Sequence, residues 1–195
     1  AYDTVMELWE LRSLEPLALV VYAHLLLGCK DIEGTDIKDG DDLANIILKW
    51  KARLVAGGNR LLDASGDHYR EKGLYGAPTS LEAIRLVCWW STMCSSHVLL
   101  QADVSGAYLQ SRLGGRPVWV VLPPAFWPEA WRKRGLKQPV LRLRKALYGL
   151  QRSGFDWAKK AHKVLSNLGW QIVPDVVDAL YVLREGRSMC IMALY

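Results

Sequence analysis

Asp103 is the residue in this chain best placed to do chemistry. It follows an apolar run, residues 98–100, that reads as a short strand, in Leu100-Gln101-Ala102-Asp103-Val104-Ser105-Gly106-Ala107-Tyr108-Leu109. A carboxylate at a strand end sits at a sheet's edge, where irregular backbone can build a site. The plainer alternative is a turn-capping aspartate, the usual occupation of an isolated Asp. Lys51 and Arg53 form a second group. They lie two residues apart in a strand-like stretch, so both project from one face. Two cations on one face can hold a polyphosphate; a solvated edge strand blunted by charge is the competing account. A third group is Tyr148-Gly149-Leu150-Gln151-Arg152. Gly149 there permits close backbone approach, and Gln151 brings a side-chain amide that can both donate and accept.

These groups need elements to hold them. Residues 50–55 read as a strand, ended by Gly57-Gly58-Asn59, with loop over 59–78. Thr79 and Glu82 have capping-box spacing, so a helix starts beside Pro78, its apolar face drawn from Leu81, Ile84 and Cys88, with Leu86-Val87 alongside. Residues 118–122 form a second strand, stopped by Pro123-Pro124, and 140–143 a third. Trp157, Ala161, Val164, Leu165 and Leu168 share one helical face, with Gly169 closing the helix. Strands at 179–183 and 189–195 flank the turn-rich Arg184-Glu185-Gly186-Arg187, and the acidic stretch 31–42 reads as loop. Short strands alternating with helices make a mixed α/β (α+β) fold.

Composition narrows the function classes. With 195 residues, 51% hydrophobic and 23% charged, the chain can bury a core and is not a disordered tail. Its four cysteines show no CxxC pairing and no His at zinc-ligand spacing, which reads as free thiols in a reducing, intracellular setting. The longest apolar run, residues 17–27, is eleven long and contains His24, too short for a membrane span. The net charge of +5 is unevenly spread. Residues 1–45 carry ten acids against three bases, whereas 132–163 carry eleven Lys and Arg against Asp156 alone. A basic half suits a polyanion such as nucleic acid, and equally suits a solvated lysine-rich surface.

Several segments in order sharpen this. Lys51-Ala52-Arg53-Leu54-Val55-Ala56-Gly57-Gly58, the helix Ser80-Leu81-Glu82-Ala83-Ile84-Arg85, the Asp103 segment, Pro123-Pro124-Ala125-Phe126, Leu147-Tyr148-Gly149-Leu150-Gln151 with Trp157, and Ala193-Leu194-Tyr195 follow one another. Together they resemble the reverse transcriptase of copia-type retrotransposon Pol polyproteins, which runs KARLVAKG, a T-I-R helix, Q-x-D-V-x-x-A-F-L, P-P-x-F, LYGLKQ and Y-V-D-D. The match spans roughly residues 49–195, and residues 1–45 match only weakly. Departures include Gly57 for a lysine, the missing Lys before Gln151, and Arg152-Ser153 where Ala-Pro is usual.

The resemblance implies a right-hand polymerase core. Fingers would come from residues 46–78 and 110–147, and an incomplete palm from 79–109 and 148–195. It implies RNA-directed DNA synthesis using an RNA or DNA template, a primer and deoxynucleoside triphosphates, with two Mg2+ (or Mn2+) ions. Asp103 would be catalytic and a metal ligand, helped by the Val104 carbonyl. Lys51, Arg53, Ala107, Tyr108 and Gln151 would meet the nucleotide, with Tyr108 as a flat wall against a 2′-OH. Gly149 and Arg152 would meet template or primer. The family's paired aspartates would fall just after Tyr195, and RNase H and integrase segments of the polyprotein would be partners. Two other readings stay open: a non-catalytic remnant that binds nucleic acid or acts as a scaffold, and an unrelated basic α/β nucleic-acid binder.

Overall fold

The computed structural model describes residues 5–30, 49–74, 79–173 and 179–194. The acidic stretch 31–42, Pro78 and Tyr195 lie outside them. The elements run β1 (Met6–Glu7), α1 (Leu8–Leu14), β2 (Leu19–Lys30), β3 (Lys49–Ala56), α2 (Leu81–Thr92), α3 (Ala107–Gln110), β4 (Val118–Val121), α4 (Glu129–Lys133), β5 (Pro139–Arg142), α5 (Ser153–Asn167), β6 (Gln171–Ile172), β7 (Leu180–Glu185) and β8 (Ser188–Ala193). The fold is mixed α/β, as the alternation of periods predicts. The chain divides into two compact units. One comprises the described parts of Ala1–Arg70, Arg116–Leu143 and Leu147–Leu150, and the other those of Glu71–Gly115, Arg144–Ala146 and Gln151–Tyr195.

The first unit is a five-stranded sheet in the order β1-β5-β4-β2-β3. It is mixed, because β2 runs parallel to β4 while the other pairs are antiparallel. All four residues of β4, Val-Trp-Val-Val, are buried. A strand covered on both faces has no reason to alternate, which explains its unbroken apolar run. Leu8 and Leu11 of α1 pack with Val20, Trp119, Val121 and Val140 in the main core. The Trp119 indole N–H donates to Glu15 Oε2 at 3.1 Å, so the ring is buried with its polar edge satisfied. Strand β2 was invisible to the periodicity reading. Its inner half is buried, whereas Leu25, Leu26 and Leu27 project at 39, 50 and 66% exposure, so apolar content there does not track burial.

The second unit is a three-stranded antiparallel sheet, β6-β7-β8, with α2, α3 and α5. Four expectations are corrected here. Residues 98–100 are not a strand: they lack ladder pairing, and Val98, Leu99 and Leu100 stand at 77, 53 and 85% exposure. An apolar run becomes a strand only where a neighbouring backbone takes up its N–H and C=O groups. The cap of α2 is Ser80, whose Oγ accepts the Ala83 amide at 3.3 Å; Thr79 is buried, its own amide donating to the Leu194 carbonyl at 3.1 Å. Glu82 in the first turn has its carboxyl held below the ordinary range by its own backbone amide and by the Ser80 hydroxyl. The inward face of α2 is Ala83, Ile84, Val87 and Trp90, while Leu81 and Cys88 are exposed. On α5, Ala161 is buried as expected, but Val164 and Leu168 are 46 and 64% exposed, and Asp156 is buried instead. Gly169, at φ +87°, does close α5, and the Trp170 amide returns to the Leu165 carbonyl at 3.0 Å.

Candidate active site

Asp103 lies in an exposed irregular segment that turns at Gly106 (φ +61°) into the single helical turn α3. A left-handed residue at that point lets the chain reverse direction within one residue, which glycine does without steric cost. The turn brings Asp103, Val104, Ala107 and Tyr108 together on six residues. The Ala107 amide donates to the Val104 carbonyl at 3.2 Å. Gln110 Nε2 donates back to the Ser105 carbonyl at 3.0 Å and closes the loop. One exposed carboxylate and one carbonyl are hard donors of the right chemistry for magnesium, but they are too few for a metal pair. Among the described residues no three His, Cys, Asp or Glu side chains converge.

Behind this turn is a group that single-residue reading did not find. Arg152, at the start of α5, donates from Nε to Asp156 Oδ2 at 3.1 Å and pairs through Nη1 with Glu71. Asp156 Oδ2 also accepts the Gly114 amide at 2.9 Å. The space is tight: a Cβ on Gly115 would come within 2.6 Å of the guanidinium. Arg152 was expected at template or primer. In the structure its charge is balanced by two carboxylates inside its own unit. The legible signal was the four-residue spacing of Arg152 and Asp156, which puts them on one helix face. Truncation to Arg152→Met leaves Asp156, 7% exposed, and Glu71, 22% exposed, without their counter-charge. Breaking such a pair from one side is expected to cost about 3 kcal/mol, measured as a shifted denaturant midpoint. A midpoint within experimental error of the parent would show the cluster to be unimportant. Gln151, its neighbour, is exposed at the same helix start.

The remaining expected residues belong to the first unit. Lys51 faces Gly28 and Arg53 faces Leu26 across the β2–β3 ladder, so the two cations do share a face, Lys51 half-buried and Arg53 exposed. Gly149, at φ +92°, approaches its own chain: a Cβ there would lie 2.0 Å from the Ala56 carbonyl oxygen, and a Cβ on Gly58 would lie 2.1 Å from the Gly149 oxygen. The Ala56 amide donates to the Tyr148 carbonyl at 2.7 Å in the same contact. Gly149 is thus accounted for by backbone packing between the end of β3 and the Tyr148 loop. The basic run 132–163 is divided between the two units and is not one helix face.

Among the free thiols, Cys94 differs from Cys88 and Cys190, although all three are exposed. The Ser96 hydroxyl, 3.1 Å from its Sγ, and then the Ser96 backbone lower its pKa below the ordinary thiol value. A lowered pKa means more thiolate at neutral pH, so iodoacetamide is expected to alkylate Cys94 ahead of Cys88 and Cys190, the preference shrinking as pH rises. Peptide mass mapping of partial alkylation checks this; equal labelling of the three would refute it.

Residues 30–195 match the family described as reverse transcriptase (RNA-dependent DNA polymerase), and the chain belongs to that family. Two curated relatives from Arabidopsis thaliana, the retrovirus-related Pol polyproteins from transposons RE2 and RE1, are each 32% identical over 148 residues. The matched stretch covers 75% of this chain but only 9% of each relative. No solved structure matches the chain significantly. No helix among the described residues is long and apolar enough to cross a membrane.

Proposed function

We propose that this chain is the fingers and palm part of an RNA-directed DNA polymerase from a copia-type Pol polyprotein, adding deoxynucleotides to a primer 3′-OH on an RNA or DNA template. The reading is carried by one observation: the family match over residues 30–195 has near its centre an exposed Asp103 shortly before the Tyr108 turn. Fingers would correspond to 46–78 and 110–147, and palm to 79–109 and 148–195. Asp103 is the metal-binding catalytic carboxylate, with the Val104 carbonyl beside it. Bound magnesium or manganese would supply charge neutralisation at the transferring phosphoryl group. Asp103 provides one of the carboxylates that this needs. Lys51 and Arg53 hold the triphosphate, while Ala107, Tyr108 and Gln151 line the sugar. RNase H and integrase parts of the same polyprotein are the expected partners, in an intracellular particle or the nucleus.

The test is primer extension on a defined RNA template by the chain together with its native flanking sequence. Magnesium-dependent addition of templated deoxynucleotides is the expected result. A second reading, a non-catalytic module that binds nucleic acid, is favoured by the lack, among the described residues, of three converging His, Cys, Asp or Glu side chains. It would appear as retention of template–primer duplex with no extension at any magnesium or manganese concentration.

A further inference from the structure

The four-residue helix α3 is too short to hold itself, since a single turn does not repay the cost of its own nucleation. What holds it comes from α5. The Gln110 carbonyl, at the C-terminal end of α3 where no intrahelical donor reaches, accepts Lys160 Nζ at 2.9 Å and is within 3.4 Å of Lys145 Nζ. Four residues on, the Gly114 amide donates to Asp156. Arg152 then steadies Asp156 and presses on Gly114 and Gly115. Residues 152, 156 and 160 stand on one stripe of α5, a turn apart. They meet the 110–115 segment in antiparallel order: Lys160 at Gln110, Asp156 at Gly114, Arg152 at Gly115. Ser111 between these points is 1% exposed, and its carbonyl accepts the Ala146 amide at 3.0 Å.

We infer that the Arg152–Asp156–Lys160 stripe is a positioning device for the Tyr108 turn, and that through it α5 sets how strictly the site rejects ribonucleotides. The second half rests on the role proposed for Tyr108 above. None of the three residues touches the nucleotide in this account; they act by fixing the backbone that carries the ring. An aromatic wall discriminates against one hydroxyl only if its position is held to a fraction of an ångström, and here the C-terminal end of the turn is held at the Gln110 carbonyl while the Gln110 side-chain amide ties back to the Ser105 carbonyl.

Lys160→Met keeps the length and apolar stem of the side chain and removes the donor. Amide hydrogen exchange across residues 105–111 of the 195-residue chain is expected to speed up about tenfold, the scale of one lost hydrogen bond, with α2 and the five-stranded sheet unchanged. Lys160→Arg, which can still donate to Gln110, should restore protection, and Asp156→Asn should loosen 112–115. In the chain with its native flanking sequence, Lys160→Met should lower the preference for dNTP over rNTP several-fold while kcat for the dNTP changes less. Unchanged exchange at 105–111 would overturn the positioning role. Faster exchange with unaltered nucleotide preference would overturn its link to selectivity. Absence of synthesis by the parent would remove the proposed function, and with it the selectivity half, while the exchange data still decide whether the stripe holds the turn.

Discussion

Replacing Asp103 by Asn is expected to lower magnesium-dependent primer extension at least about a thousandfold, some 4 kcal/mol of transition-state stabilisation, with the chain's unfolding midpoint unchanged. The two halves of that expectation have separate causes. Asn preserves size and polarity but removes the negative charge that attracts a divalent cation, so any contribution made through the metal is lost. Asp103 is also exposed and lies outside regular secondary structure, so the fold does not lean on it. Surface substitutions of this kind usually change stability by less than about 0.5 kcal/mol. Steady-state extension by parent and variant, in the chain with its native flanking sequence, decides the matter. Equal extension would remove Asp103 from the catalytic centre, and a lowered unfolding midpoint would assign it a structural role.

The second large effect falls on Gly149. Gly149→Ala is expected to destabilise the first unit by about 3–5 kcal/mol, read from its denaturant midpoint. Two costs add. A φ of +92° is unfavourable for an L side chain, and the new methyl would meet the Ala56 carbonyl at 2.0 Å. The obstacle is backbone within a sheet, which cannot swing aside as a side chain could. Gly135→Ala is the control in the same unit, because it shares the positive φ, +68°, but has nothing within 4 Å of its added Cβ. It should cost about 1–2 kcal/mol. Similar losses at both positions would mean that the close approach of the Tyr148 loop to β3 contributes little.

Much of the architecture could be read from residue order. Short apolar or strand-like runs located β3, β4, β5 and the β7–β8 pair, and the 3.6-residue pattern located α2 and α5, because those signals are local. Motif order located the Asp103 segment and led to the family. The failures share a cause. Whether residues 98–100 pair as a strand, whether Ser80 or Thr79 caps α2, and which faces of α2 and α5 turn inward all depend on segments distant in sequence. Leu168 and Ala161 fall on the same predicted stripe, yet one is 64% exposed and the other 7%.

By itself, then, the sequence determined the class of chemistry to look for, since an aspartate before Ser-Gly-Ala-Tyr and a Lys-Ala-Arg strand are statements about residue type and spacing. Only the tertiary structure decided what Arg152 and Gly149 lie against. An arginine in a basic run reads as a contact for nucleic acid until Glu71, 81 residues away in sequence, is found against its guanidinium. A glycine beside a tyrosine reads as room for a ligand until the Ala56 carbonyl is found occupying that room. Charge balance and excluded volume are set by what is brought near, and nearness across such separations is not encoded in local spacing.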